Sequence, residues 1–248
     1  MIKLVKCQGG PVQPLNEIER LKQEYKNRER RLVDSDVYSL FNQAHLFTIH
    51  QRQRALVNGL KKHRLTNLQD ISIFEMGCGG AGVLTEYLNL GALPENLFGI
   101  DLIFDRLRHG HHILPGSGLA NADGQTLPFP SQSFDLVLQS TALSSVLDED
   151  IRRNISMEML RVLKPTGVII SYDFWLNPRN PQTYGIRPSE IKRLFPECKY
   201  EFHKITLAPP LARKLAPFSW GLALLLERLY IFNTHYLVFI FPKRESSL

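Results

Sequence analysis

The glycine-rich stretch between Ile71 and Leu84 constrains the fold more than any other part of the chain. It begins with apolar residues typical of a buried strand, passes through Glu75 into four glycines, and ends in an amphipathic helical pattern. Glycines at the end of a strand permit a tight turn and a close approach of the backbone to a ligand, toward which the free N–H groups of the next helix point. The stretch therefore predicts a strand, loop and helix that together bind a small molecule.

The glycine spacing alone leaves two classes of ligand open. Gly77, Gly79 and Gly82 fit the dinucleotide fingerprint, which also requires an acidic residue about 20 positions later. Glu75 favours a different ligand, because a carboxylate there repels a pyrophosphate but attracts a molecule that carries an ammonium and a sulfonium. Asp101 ends the next predicted strand, where its carboxylate can accept hydrogen bonds from two ribose hydroxyls. A nicotinamide-dependent oxidoreductase stays open as the alternative.

Two further motifs follow in order along the chain. Residues 121–130 (NADGQTLPFP) form a polar turn, and residues 133–138 (SFDLVL) lead into another apolar strand. Together with the glycine loop and Asp101, they make a series that spans Phe74 to Asp173. This series resembles the class I S-adenosylmethionine-dependent methyltransferases, particularly the small-molecule group related to ubiquinone and sterol methyltransferases.

The pattern of elements and the resemblance agree on the fold class. Apolar strands that alternate with helices indicate a parallel sheet that is covered on both faces. The resemblance implies a Rossmann-like α/β fold with a seven-stranded mixed sheet, strand order 3-2-1-4-5-7-6 and an antiparallel last strand. We expect a single domain over residues 1–248, which divides into an N-terminal helical lid or extension (1–66), a cofactor-binding core (67–173), and an acceptor loop with the C-terminal strands and an inserted helix (174–248).

The cofactor site is predicted at the carboxyl ends of the strands, where ligands bind in sheets of this kind. By resemblance, S-adenosylmethionine would contact Glu75, Gly77, Cys78, Gly79, Asp101, Leu102, Ala122, Asp123, Gly124, Gln139 and Ser140. Taken singly, Asp101 could be a helix N-cap and Asp123 part of an ordinary turn. Their joint occurrence in this order favours the cofactor.

The chain departs from the family pattern at one glycine. Ala81 stands where the family has its third glycine, and we expect the neighbouring Gly80 and Gly82 to absorb the difference.

The acceptor is less constrained by the motifs. An unactivated hydroxyl requires a base near the methyl group, and the candidates are Asp173, His45 and Tyr184. Asp173 could instead cap its own loop, and His45 could be a structural histidine. Four basic residues suit a phosphate or carboxylate on the acceptor: Arg179, Arg187, Arg213 and Lys214. No acidic cluster predicts a metal site.

We therefore predict methyl transfer by in-line displacement to a small-molecule acceptor, at a hydroxyl rather than at nitrogen or carbon. The acceptor class is a sugar, a glycan precursor or another metabolite, and either an anionic or a lipid-linked molecule would fit the basic residues. A non-catalytic binding or scaffold protein with the same fold is the alternative outside the enzymes.

The net charge and the cysteine content limit which partners and which cellular compartment we expect. The net charge of +6 is compatible with an anionic substrate or membrane surface, whereas glutamates in the predicted helix over residues 15–33 oppose nucleic acid. Three widely spaced cysteines favour a reducing cytoplasm. The apolar run in 211–230 is too short to span a membrane. We expect a helix that packs on the core or on a partner subunit there, with peripheral membrane contact and oligomerisation left open.

Overall fold

The computed structural model describes residues 16–177 and 180–243. Residues 1–15 of the predicted N-terminal extension and Arg179 of the predicted basic set lie outside these described residues. The helices are α1 (Glu17–Leu32), α2 (Gln43–Lys62), α3 (Gly82–Asn89), α4 (Phe104–Ile113), α5 (Glu149–Val162), α6 (Pro188–Leu194), α7 (Pro209–Leu215) and α8 (Trp220–Arg228). The strands are β1 (Ile73–Met76), β2 (Leu97–Asp101), β3 (Gly118–Asn121), β4 (Phe134–Ser140), β5 (Leu163–Phe174), β6 (Cys198–Leu207) and β7 (Asn233–Pro242).

The strands form one mixed sheet in the order β3-β2-β1-β4-β5-β7-β6. The pairs among β1 to β5 are parallel, and β7 is antiparallel to both β5 and β6. All four residues of β1 are buried, as expected for a central parallel strand that is covered on both faces. The predicted fold class and strand order are confirmed.

Alternate residues of β1 enter two separate cores, because successive side chains of a strand point to opposite faces. Phe74 belongs to a core with Met159 of α5, on one face of the sheet. Ile73 belongs to the other core, with Leu60 of α2 and Leu84 of α3. The glycine loop that follows β1 is thus held between two packed layers.

Two local predictions differ from the structure. The predicted turn over 165–167 is extended and lies within β5, and the β4–β5 register shifts between Phe134 and Leu136 to accommodate it. The predicted inserted helix is divided into α7 and α8. Pro217 lacks a backbone N–H for a helical hydrogen bond, and Ser219 begins α8 by accepting from Leu222 N at 3.2 Å.

The sheet order decides which residues meet at one edge. Because β7 is antiparallel to β5, the first residues of β7 lie beside the carboxyl end of β5, and His235 pairs with Phe174. The carboxyl end of β6 reaches the same edge, where Leu207 pairs with Asn233. Residues far apart in sequence therefore extend the edge that begins at the glycine loop.

Candidate active site

The glycine loop turns sharply after β1. Gly77 and Gly79 adopt φ angles of +71° and +54°, a region that side chains other than glycine rarely occupy. A Cβ on Gly77 would lie 2.9 Å from the Cβ of Ala142, so the loop passes close to the segment that follows β4. Glycine is required at Gly77 for both conformation and space.

The departure at Ala81 has a local solution. Ala81 itself adopts φ +62° and is the N-cap residue of α3, whereas Gly80 and Gly82 are not in the left-handed region. The expectation that the two glycines absorb the difference is wrong. Ala81 takes the left-handed conformation itself, and its fully buried methyl group packs in the core.

Asp101 joins the loop after β1 to the loop after β2. Its Oδ2 accepts from Gly79 N and its Oδ1 from Ile103 N, both at 2.8 Å. Ile103, not Asp101, is the N-cap residue of α4. Each carboxylate oxygen has more than one acceptor site, so Asp101 retains capacity for ligand hydroxyls while it fixes the two loops.

Asp123 forms a turn of the kind considered as its alternative. Its Oδ1 accepts from Gln125 N at 2.9 Å and its Oδ2 from Gln125 Nε2 at 3.1 Å. The turn presents Ala122, Asp123 and Gly124 to the same cavity as Asp101 and Leu102.

Glu75 is a buried carboxylate with an unsatisfied atom. It is 2% exposed, and its Oε2 has no hydrogen-bond partner among the described residues. Burial raises the pKa of Glu75 to about 8, against the opposing effect of the nearby Arg52 guanidinium. A ligand ammonium that reached this oxygen would supply the missing donor and favour the charged form of the carboxyl group.

Three adjoining cavities form one cleft along the sheet edge. The inner cavity has a volume of about 60 Å³, and its lining includes Asp101 and Asp123. The middle cavity, of about 480 Å³, shares Gly77 with the inner one. The outer cavity, of about 490 Å³, shares Ser140 and Thr141 with the middle one. A ligand bound over the glycine loop can thus reach a second ligand in the outer cavity.

Helix α1 covers the inner end of this cleft with Ile18, Leu21 and Tyr25. Glu17 accepts from Leu147 N at 2.5 Å, and Arg20 Nη2 donates to Ser145 O at 2.6 Å. These bonds anchor α1 to the segment after β4, which itself borders the cleft.

The outer cavity brings together residues from four distant parts of the chain. It is lined by His45 and Arg52 of α2, Tyr172 of β5, Thr206 of β6 and His235 of β7. The His235 ring stacks on Tyr172 with centroids 4.8 Å apart. Burial lowers the pKa of His235 to about 3, and the nearby Arg52 acts in the same direction. His235 is therefore a neutral imidazole at neutral pH.

The charged side chains that line the outer cavity are all basic. Its lining contains two histidines and four arginines, namely Arg28, Arg31, Arg52 and Arg213, and no carboxylate among the described residues. Arg52 pairs with Glu86, and Arg31 pairs with Glu24 at 2.8 Å. Arg213 is exposed and has no ion-pair partner in the described part of the chain. The cavity therefore favours an anionic ligand.

Two threonines in the lining are held in an unusual backbone conformation. Thr141 and Thr206 have φ angles of +56° and +67°, which are outliers for β-branched residues. Thr141 N donates to Tyr172 O at 2.8 Å, and Thr206 Oγ1 lies 2.8 Å from the Tyr172 hydroxyl. Such strain persists where surrounding contacts fix it, and it concentrates at functional sites.

The predicted site residues divide into two groups. Those that line the cleft are His45, Gly77, Asp101, Leu102, Ala122, Asp123, Gly124 and Ser140. The remaining predicted residues do not line any of the three cavities: Glu75, Cys78, Gly79, Gln139, Asp173 and Tyr184. The Cys78 side chain is buried in the core shared with α3, away from the cleft.

Gln139 uses both ends of its amide within the protein. Its Nε2 donates to Ser171 Oγ at 2.6 Å, and its Oε1 accepts from Ala142 N at 3.1 Å and from Leu143 N at 3.3 Å. The side chain thus shapes the segment after β4 instead of bordering the ligand.

Two of the three base candidates are also engaged elsewhere. Asp173 is buried, and its carboxylate accepts from Ser144 N at 3.0 Å and from Phe174 N at 2.9 Å, as its loop-capping alternative requires. Burial raises the pKa of Asp173 to about 7. Tyr184 lies under the Arg152 guanidinium, 4.1 Å from the ring centroid, and outside the outer cavity.

Sequence reasoning missed Arg52, Tyr172, Thr206 and His235. Arg52 is hidden in an ordinary helical pattern, and no local motif marks the other three. One signal was available for His235. Once β7 is placed antiparallel beside β5, the first residues of β7 must lie at the ligand edge.

The sheet order, the glycine loop and the acidic residues along its rim are those of the class I S-adenosylmethionine-dependent methyltransferase fold. Residues 74–171 match the family described as "Methyltransferase domain". The predicted family and cofactor are confirmed by these comparisons.

Two curated relatives illustrate the sequence similarity. The phthiotriol/phenolphthiotriol dimycocerosates methyltransferase 1 of Mycobacterium ulcerans is 33% identical over an alignment of 126 residues, and the match covers 48% of this chain and 43% of that protein. The ubiquinone/menaquinone biosynthesis C-methyltransferase UbiE of Saccharophagus degradans is 29% identical over 145 residues, 56% of this chain and 51% of that protein. The chain thus spans about half the length of these relatives.

A solved structure extends the similarity to most of the fold. Phosphoethanolamine N-methyltransferase 1 of Haemonchus contortus, in complex with phosphoethanolamine and S-adenosylhomocysteine, aligns with a TM-score of 0.59 at 16% identity. The alignment covers 91% of this chain and 50% of that one. In the described part of our chain, no helix combines the length and apolar character needed to cross a bilayer.

Proposed function

We propose that this protein transfers the methyl group of S-adenosylmethionine to a hydroxyl of an anionic small molecule. The observation that carries the proposal is the continuous cleft: a glycine loop with an acidic rim opens, past Ser140 and Thr141, into a cavity lined by arginines and histidines. The inner part fits a cationic nucleoside cofactor, and the outer part fits an anion.

The residues of the inner and middle cavities would hold the cofactor. Asp101 would bind the ribose hydroxyls and Asp123 the adenine amino group, while Gly77 allows close approach of the backbone. Glu75 lines neither cavity and would act on the ammonium through the glycine loop that follows it. S-adenosylmethionine supplies a methyl group that is already activated by its sulfonium. The protein's task is then to align the acceptor, exclude water and remove a proton, and alignment alone can contribute roughly 7–11 kcal/mol at best.

His45 is the proton acceptor that the geometry supports best. It lines the outer cavity, and neither ring nitrogen has a hydrogen-bond partner among the described residues. Partial burial and the nearby Arg52 lower the pKa of His45, so its ring is neutral and able to accept a proton at neutral pH. As the acceptor oxygen bonds to the methyl carbon and the carbon–sulfur bond breaks, the hydroxyl proton would pass to His45.

The arginines of the outer cavity support a phosphate or carboxylate on the acceptor. Arg213 is the strongest candidate for this contact, because it lines the cavity from α7 and has no partner among the described residues. A phosphoethanolamine bound in a structural neighbour and lipid or quinone names among the relatives are compatible with an anionic or lipid-linked acceptor.

The decisive experiment uses S-adenosylmethionine with an isotopically labelled methyl group. The protein is incubated with cell metabolites that are separated into anionic, neutral and lipid-linked fractions, and labelled products are found by mass. We expect an O-methylated product from an acceptor with a phosphate or carboxylate. Methylation at carbon or nitrogen, or of neutral acceptors only, would contradict the proposal.

A pair of neighbouring variants tests the anionic contact. Arg213→Gln is expected to raise the KM for a soluble acceptor, since a charge-assisted hydrogen bond contributes about 1.5–3 kcal/mol. Lys214→Gln is the matched control, because Lys214 is adjacent and exposed but does not line the cavity. Equal KM values for both variants would remove Arg213 from the acceptor site.

Calorimetry separates the competing classes of function. We expect S-adenosylhomocysteine to bind and nicotinamide dinucleotides not to bind. Tight dinucleotide binding would favour the oxidoreductase alternative. Binding of S-adenosylmethionine without turnover on any fraction would favour a non-catalytic scaffold.

A further inference from the structure

Helix α8 presents an apolar outer face that the fold does not cover. Ala223 and Glu227 face the core, whereas Leu222, Leu225 and Leu229 recur at helical spacing on the opposite side and are 45%, 59% and 50% exposed. The exposed apolar character continues on both sides of the helix. The docking face, as we call it, consists of Phe218, Leu222, Leu225, Leu229, Tyr230 and Ile231.

Single exposed apolar side chains are common, but a contiguous set of this kind marks an interaction surface. Phe218 is 88% exposed and Ile231 is 70% exposed. The helix itself is firmly attached to the domain. Trp220 Nε1 donates to Gln43 Oε1 at 3.2 Å, and its ring packs edge-on against Phe47 with centroids 5.5 Å apart. The exposed side chains are therefore presented from a fixed platform.

The charges around the docking face are basic. Arg213, Lys214 and Arg228 are exposed and have no ion-pair partner in the described part of the chain. The acidic residue of α8, Glu227, is buried, and its Oε1 accepts from Thr206 N at 3.0 Å. An apolar helical face with cationic neighbours has the composition of helices that lie in the interface of an anionic bilayer.

The docking face adjoins the mouth of the outer cavity. Pro209, Ala212 and Arg213 of α7 line that cavity, and α7 leads directly into Phe218. A surface contacted by α8 would therefore lie near the helix that lines the cavity.

The same charges make a second copy of the chain a poor occupant. A two-fold interface brings identical patches together, so Arg213, Lys214 and Arg228 would approach the same three cations of the other copy. The connection between α1 and α2 carries Asp34 and Asp36, which an anionic surface repels. The docking is therefore assigned to α8 and not to that connection.

We propose that the docking face binds the surface of an anionic lipid bilayer and thereby places the mouth of the outer cavity against it. The docking itself is independent of the reaction. The accompanying assignment of a lipid-linked anionic acceptor, drawn from the bilayer, rests on the proposed function. Phosphate in the headgroup would meet Arg213 at the cavity mouth, while the lipid tail stays in the membrane.

The test measures sedimentation of the whole protein with vesicles of phosphatidylcholine alone or mixed equally with phosphatidylglycerol. We expect binding to the mixed vesicles, weakened by salt, and loss of at least about tenfold in affinity for Leu225→Ser/Leu229→Ser. Ile113→Ser/Met157→Ser, which changes comparably exposed residues of α4 and α5, is the matched control and should bind as wild type does.

Two further readouts separate the outcomes. S-adenosylhomocysteine binding and turnover of a soluble acceptor should be equal in the wild type and in Leu225→Ser/Leu229→Ser, which shows that the variant is folded and that only docking is lost. Absence of vesicle binding by the wild type, or equal binding by the variant, would overturn the docking. A dimer in sedimentation velocity that the variant breaks would identify a second copy as the occupant and overturn it too. Docking without any methyl transfer would overturn only the proposed function.

Discussion

The two halves of the cleft are built in opposite ways. The inner half takes its glycine and acidic residues from one continuous segment, Gly77 to Gly124, and both Asp101 and Asp123 are hydrogen-bonded within the protein. The outer half takes His45, Tyr172 and His235 from segments more than 60 residues apart. The inner cavity has a volume of about 60 Å³, and the outer one about 490 Å³.

This difference separates two kinds of constraint. The inner half has one cofactor to recognise, so backbone turns and acidic residues at fixed spacing can specify it. The outer half has no such local code, because its acceptor is met by side chains that only the completed sheet brings together. Loops and strand ends at such positions commonly determine specificity, whereas the rigid scaffold around them holds them in place.

The largest expected effect lies in the outer half. His45→Gln should lower kcat by about 10²–10⁴-fold, the usual contribution of a general base. In the wild type, the rate should fall as the pH drops through the pKa of His45, which lies below its ordinary value of 6.5. His45→Gln should lose this acid limb, which a pH–rate profile will show.

Asp173→Asn is the comparison for that measurement. Its carboxylate is bonded to Ser144 N and Phe174 N, so we expect lower stability but an intact acid limb. If Asp173→Asn removes the limb and His45→Gln keeps it, the base belongs to β5 and the assignment of His45 is wrong.

In the inner half, Asp101→Asn should be the most damaging change to cofactor binding. An amide cannot accept at both positions where the carboxylate meets Gly79 N and Ile103 N. We expect the Kd for S-adenosylhomocysteine to rise by about 100-fold or more, since each hydrogen bond to a charged group contributes about 1.5–3 kcal/mol. Titration calorimetry measures this.

Asp105→Asn provides the control for Asp101. Asp105 lies on α4, is exposed and has Arg108, at 3.0 Å, as its one ion-pair partner among the described residues, so the variant's Kd for S-adenosylhomocysteine should be unchanged. Equal affinity of Asp101→Asn and the wild type would show that the rim of the inner half does not hold the cofactor.

The fold was predictable from sequence because its signals are local and repeated. Buried strands such as β1 alternate with helices, and the family resemblance supplied the strand order. The errors fall where tertiary contacts decide. Residues 165–167 join β5 through a shift in register, and Ala81 accepts a left-handed conformation that the sequence pattern assigned to its neighbours.

The site was predictable only in its inner half. Asp101 and Asp123 follow from strand ends and turn chemistry, and both line the inner cavity. Gln139 and Asp173 have the right positions at strand ends, but nearby backbone N–H groups occupy their oxygens. His235 required knowledge of the antiparallel strand, since nothing adjacent to it in sequence indicates a ligand.

Glu75 offers a thermodynamic test of the inner half. Its folded pKa of about 8 exceeds the ordinary value of 4.5, so the neutral form is favoured in the folded state and stability is lost progressively as the pH rises from about 4.5 to about 8. Relative to wild type, Glu75→Gln should gain up to roughly 5 kcal/mol in the free energy of unfolding at alkaline pH, at ~1.36 kcal/mol per pH unit between the two pKa values. Denaturation across a pH series measures this gain. Glu95→Gln changes an exposed residue and is the control, so its plot of unfolding free energy against pH should parallel that of the wild type. A parallel plot for Glu75→Gln would show that the Glu75 carboxylate is not desolvated.

The smallest expected effect concerns α1, which we propose to be a lid over the inner cavity. Arg20→Ala removes the bonds to Ser145 O and to Gln182 Oε1 that anchor the helix. We expect S-adenosylhomocysteine to dissociate about tenfold faster, since a lost hydrogen bond of about 1.4 kcal/mol corresponds to that ratio. Stopped-flow displacement measures the rate, with Arg30→Ala, an exposed position of the same helix, as control. If both variants release ligand at the wild-type rate, α1 does not retain the cofactor. The two halves of the cleft would then differ in the segments that form them but not in how freely a ligand enters and leaves.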